Sequence, residues 1–125
     1  MRKQYHLRPS DAGLRAWDVD RLIATSRDFA VREVALSEIR EMDEPYWVFS
    51  GGPAPTCRER VEHTRLIGDA DLQFPIILSA DGRLMDGMHR VAKALLKGQS
   101  HIRAVQFQTD PEPDHVGVDP EDLPY

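Results

Sequence analysis

One cysteine in 125 residues leaves no partner for a disulfide and no Cys-x-x-Cys spacing for a structural zinc site. A reducing, cytoplasmic compartment fits such a chain. Aromatic residues make up only 7%, and no apolar run approaches the roughly 20 residues of a membrane-spanning helix. Met1-Arg2-Lys3 is not followed by the apolar stretch of an export signal. His6, His63, His89, His101 and His115 are scattered, with no His-Glu-x-x-His pattern, so no metal site is expected. Gly51-Gly52 lacks the glycine and lysine that complete a Walker loop and reads as a flexible turn.

What is present is enough chain, 41% of it hydrophobic, for one core. The formal net charge is -5, and it is unevenly distributed. Residues 110–125 hold six acidic residues and no lysine or arginine, which leaves 15 acidic against 16 basic residues in 1–109. A nearly neutral body argues against a general nucleic-acid surface. Pro111, Pro113, Pro120 and Pro124 make the acidic tail a segment expected by default to be disordered, with wrapping the domain or docking on a neighbour as the alternatives.

The most informative stretch runs from Phe74 to Arg90. Phe74-Pro75-Ile76-Ile77-Leu78 reads as an apolar strand, Asp81-Gly82 as a two-residue hairpin turn, and Arg83-Leu84-Met85 as a second strand. Apolar residues at 88, 91, 92, 95 and 96 then follow the spacing of one helix face, with Gly98 as the stop. Asp86 and Gly87 thus sit at a helix N-terminus, where free amides and the helix dipole favour an anion. Arg90 supplies a planar fork that matches phosphate oxygens, Gly87 lets a ligand approach the backbone, and His89 can donate or relay a proton. The spacing alone fits equally an N-cap aspartate with two solvated polar side chains.

With the Asp86-Gly87-Met88-His89-Arg90 box in place, residues 31–107 resemble the ParB/sulfiredoxin superfamily. ParB proteins carry Gly-Glu-Arg-Arg at this box, sulfiredoxins Gly-Gly-Cys-His-Arg, and the free-serine kinases of the superfamily Asp-Gly-His-His-Arg. The last is closest, differing at one position. The resemblance implies an α/β (α+β) domain, a small mixed sheet flanked by helices. It also implies a nucleotide, ATP, ADP or CTP, with its phosphates on Gly87, Met88, His89 and Arg90 and Mg²⁺ entering with them. Phosphoryl transfer to a small hydroxyl-bearing substrate, or nucleotide hydrolysis, would use Asp86 to orient the substrate or ion and His89 to stabilise developing charge. Glu44, with Asp43 beside it, roughly matches the kinases' base. Sulfinic acid repair is excluded, because Met88 stands where sulfiredoxins have the thiolate. The alternative implied by ParB is a regulatory module in which nucleotide occupancy switches a partner surface. ParB proteins continue into a helix-turn-helix domain, whereas this chain turns to an acidic tail, which argues against direct DNA binding.

The remaining segments are read more coarsely. Residues 1–29 are expected to form an arm, loose over 1–13, with some helix between Trp17 and Phe29. Residues 30–109 form the domain, and Val31–Leu36 is expected as its first core strand. Tyr46, Trp47 and Phe49 could present a face for a base or plug a core edge. Thr56-Cys57-Arg58-Glu59 fits a capping box opening a helix to about Gly68. Its Arg58, Arg60, His63 and Arg65 either face the phosphates or form a solvated face. Cys57 is expected to be a small, half-buried filler.

Overall fold

Residues 13–18 place Leu14 and Ala16 on one side of an extended segment, and Asp11-Ala12 ahead of them turns the chain back on itself. The computed structural model describes residues 3–47 and 52–125. In it, Tyr5–Ser10 (β1) and Gly13–Asp18 (β2) pair as an antiparallel hairpin, with His6 opposite Trp17. Asp18 then caps α1 (Val19–Ser26), accepting the Asp20 N–H at 2.9 Å. The arm is therefore an ordered hairpin and not a loose lead-in. Its strands are too polar to announce themselves, because their third partner lies at the far end of the chain.

That partner is β7 (His115–Val116), which pairs with Arg15 and Ala16 of β2. The acidic tail wraps the domain, and its acidic residues act as acceptors. Asp114 takes the Asp18 N–H at 2.8 Å and pairs with Arg21 at 2.6 Å, while Asp110 takes the Ala80 N–H at 2.7 Å. The Trp17 indole N–H donates to the Pro111 carbonyl at 2.8 Å. A single 3₁₀ turn at Pro120–Asp122 precedes Leu123, which is buried. The prolines fix extended geometry that leaves their carbonyls available, so they direct the wrap and do not prevent it.

The second sheet holds β3 (Arg32–Ala35), β4 (Ile76–Leu78), β5 (Leu84–Asp86) and β6 (His101–Gln106), in the order β3-β6-β4-β5. β4 and β6 are parallel and the other pairs antiparallel, so the sheet is mixed. Between β4 and β5 the turn has three residues, one more than the sequence suggests. Ser79 N–H reaches Arg83 O at 2.8 Å, Gly82 N–H reaches Ser79 O at 2.9 Å, and Gly82 takes a φ of 85°. Asp81 accepts from the Ser79 hydroxyl and the Arg83 N–H, which favours the wider turn.

Alternation along these strands feeds two cores. Ile76, Leu78, Leu84, Ile102 and Ala104 face α3 (Met88–Leu96) and meet Val34, Leu36, Ile39, Val91 and Ala94. Ile77, Met85, Val105 and Phe107 face the opposite way, onto Trp17 and Leu22. A sheet covered on both faces explains the unbroken Ile76-Ile77-Leu78 run. The buried stripe of α3 is Val91 and Ala94, with Leu95 and Leu96 exposed, so it is rotated from the face that the spacing suggests. Gly98 ends the helix as expected: its φ is 74°, its N–H reaches Leu95 O, and Gln99 N–H reaches Ala94 O, both at 3.0 Å.

Candidate functional site

The box joins the edge strand β5 to α3. Gly87 is the N-cap of α3 at φ 111° and ψ 23°, a conformation that residues with side chains rarely adopt, and it has no side chain with which to cap the helix. Among the described residues no side chain accepts from the first-turn amides of Met88, His89 and Arg90, residues that are half-buried. A β-carbon on Gly87 would lie 2.7 Å from Ile76 Cγ2 and 3.2 Å from Arg90 Cζ. Close packing of helix on strand, as well as the backbone angle, requires glycine there.

Arg90 is turned inward. Its guanidinium pairs with Asp86 at 2.7 Å and donates to the Phe74 and Pro75 carbonyls at 3.0 and 2.6 Å. Both side chains of the pair are largely buried. Asp86 and Arg90 thus brace the start of β4 against α3. Phosphate at this corner would meet amides and histidines before it met Arg90.

His89 projects from the first turn of α3 to α2 (Cys57–Asp69), where its Nε2 lies 2.9 Å from His63 Nδ1. The Trp47 indole stacks on both rings, with centroids 4.5 Å from His63 and 4.6 Å from His89. Trp47 has φ 59°, the one positive value outside glycine among the described residues. An indole held at that angle over two imidazoles is an ordered aromatic shelf. Burial, His63 and Arg90 together lower the pKa of His89, so its neutral form prevails near neutrality. Tyr46 packs edge-on against Trp47 at 5.4 Å. Burial raises its phenol pKa, with the charges of Glu41 and Asp86 adding to the effect.

Glu44 lies apart from this corner. Its carboxylate pairs with Arg83 at 2.6 Å and its side chain is 43% exposed; Asp43 is exposed as well. The acidic residue of that segment that points inward is Glu41. Its Oε2 accepts the Leu84 N–H at 3.0 Å, and its Oε1 is buried with no partner among the described residues. Because the Glu44–Arg83 pair is exposed, Glu44→Gln is expected to change stability by less than about 1 kcal/mol in urea titrations. A loss of several kcal/mol would show that this pair holds the loop.

On α2, Thr56 accepts the Glu59 N–H at 3.1 Å, as the capping box requires. Arg65 is tied to Glu62 and Asp69, and Arg58 and Arg60 are exposed, so of the four basic residues only His63 reaches the box. Cys57 is exposed, not half-buried, because it occupies the outer first turn of a helix that packs loosely. Phe49 and Gly51 lie outside the described residues. No group of three His, Cys, Asp or Glu side chains that could hold a metal ion occurs among the described residues. No helix among them is long and apolar enough to cross a membrane. Neither a protein-family model, a curated protein nor a solved structure matches the chain.

Proposed function

We propose that the protein binds the phosphates of a nucleotide at the N-terminal turn of α3. The observation that carries this reading is the start of the helix at Gly87, which no side chain among the described residues caps, flanked by the paired His63 and His89. Amides of Met88, His89 and Arg90 would hold phosphate oxygens, and the two imidazoles would supply positive charge on demand. ATP, ADP and CTP all fit this chemistry, with Mg²⁺ carried in by the phosphates. The Trp47 shelf suits a base or another planar group. Phosphoryl transfer to a small hydroxyl compound, or nucleotide hydrolysis, would draw on His89 for charge stabilisation and on Asp86 to orient substrate or ion.

One observation favours the binding module over the enzyme: Glu44, expected to be the base, is engaged with Arg83 in an ion pair apart from the box. Turnover would require Glu44 to leave Arg83 before it could accept a proton.

Calorimetric titration with ATP, ADP, CTP and GTP in Mg²⁺ tests the site. The wild type is expected to bind at least one of them, and His89→Ala to bind it at least about tenfold more weakly. A bound phosphate favours the imidazolium whose pKa the free protein lowers, so binding takes up protons and tightens as pH falls from about 8 to about 6. No binding by the wild type at millimolar nucleotide sinks the assignment. Phosphorylated product from a panel of hydroxyl compounds separates the enzyme from the module.

A further inference from the structure

α2 is a helix of 13 residues with none of them buried, and no side chain of it belongs to either apolar core. Helices of this length ordinarily dock through an apolar stripe. Here His63, Leu66 and Ile67 are only half-covered. The ties to α3 are polar and lie at two separate points. Toward the C-terminus, Lys93 Nζ donates to the carbonyls of Gly68 at 2.8 Å and Ala70 at 2.7 Å. Midway along α2, His63 and His89 share their hydrogen bond under the Trp47 indole.

We propose that α2 is a strap across the N-terminal turn of α3, latched by the His63–His89 hydrogen bond beneath Trp47 and released when both imidazoles are protonated. The neutral pair bonds through one N–H and one lone pair. A first proton preserves an N–H···N bond and places a cation against the indole face, which strengthens the stack. A second proton removes the remaining acceptor and sets two positive charges against each other, so the bond is lost.

Charged groups around the latch do not offset that second charge. On α2, Glu62 adjoins His63 but is bound to Arg65. On α3, Arg90 adds to the positive field at His89 and is itself paired with Asp86. From the segment carrying Trp47, Tyr46 lies nearest, with the Asp86 and Glu41 charges acting on its phenol. No carboxylate among the described residues bonds either imidazole. The strap therefore holds while either imidazole is neutral and opens when neither is.

Hydrogen exchange by mass spectrometry at about pH 7.5 and about pH 4.5, corrected for intrinsic rates, tests this. Peptides from α2 are expected to lose at least about tenfold in protection relative to those of β6, the internal reference for global opening. His63→Phe keeps a ring under Trp47 but cannot titrate, and its α2 protection relative to β6 should not change with pH. His63→Gln, which keeps a hydrogen bond and likewise cannot titrate, is read the same way should the phenylalanine variant not fold. Unchanged relative protection of α2 in the wild type overturns the proposal, and so does a pH response that survives in a folded His63 variant.

Discussion

Lowering the pH from about 6.5 to about 4 should remove roughly 3 kcal/mol of folding stability through His6 alone. His6 stacks on Trp17 with ring centroids 5.6 Å apart, and its Nε2 is buried without a hydrogen-bond partner among the described residues. Burial, reinforced by the positive charge of Arg8, pushes its pKa from 6.5 down to about 4. The sign follows from linkage: in this range the unfolded chain binds a proton that the folded chain refuses, so acid favours unfolding. The contribution is complete above pH 6.5, declines as pH falls through the window, and is gone near pH 4. Urea titrations across that range check it. His6→Phe, which keeps the ring on Trp17 without titrating, should flatten the slope and leave stability at pH 7 equal or higher, since no buried nitrogen then lacks a partner. An unchanged acid slope in His6→Phe would assign the effect to other groups.

Gly87→Ala should cost about 3 kcal/mol of stability and, under the proposed function, weaken nucleotide binding with it. Two penalties combine. The backbone at φ 111° is strained for alanine, and the new methyl group would sit 2.7 Å from Ile76 Cγ2. Ile76 is fully buried in the core under α3, so it cannot yield without opening a void. The Arg90 guanidinium, 3.2 Å from the added carbon, would be pushed from Asp86 and from the carbonyls at the start of β4. Gly82→Ala gives the comparison: its φ of 85° carries a similar backbone strain, but no heavy atom lies within 4 Å of the added carbon. Chemical denaturation should therefore show a larger loss at position 87. Equal losses at the two glycines would mean that contact with Ile76 contributes little.

Local signals in the sequence were legible where backbone chemistry dominates. The box at a helix N-terminus, the glycine stop at Gly98, the Thr56 cap and the strand pair around Asp81-Gly82 all follow from residue type over a few positions, and the mixed α/β class follows from them. The hidden features depend on residues far apart in the chain. His63 and His89 are 26 positions apart, and nothing in either neighbourhood distinguishes a ring that will meet another ring. The inward turn of Arg90 depends on carbonyls at Phe74 and Pro75, so the phosphate fork that its type suggests is directed to the protein's own backbone. Among Glu41, Asp43 and Glu44, residue type could not separate the buried carboxylate from the exposed ones; that depends on which side of a 3₁₀ turn faces the edge of β5. The hairpin of β1 and β2 was obscured because its burial relies on a tail whose composition suggests disorder.

The three-stranded sheet that joins β1 and β2 to β7 sets the order in which the chain can finish folding. Its third strand is synthesised after all four strands of the central sheet, while Trp17, whose indole N–H donates to the Pro111 carbonyl, is synthesised before them. The central sheet can assemble once β6 has emerged, but Trp17, which covers Ile77, Met85 and Val105, lacks its Pro111 acceptor and β2 its β7 partner until residues 111–116 follow. During that interval the edge of β2 has no β7 to pair with, and an unpaired strand edge is where folding competes with pairing to another chain.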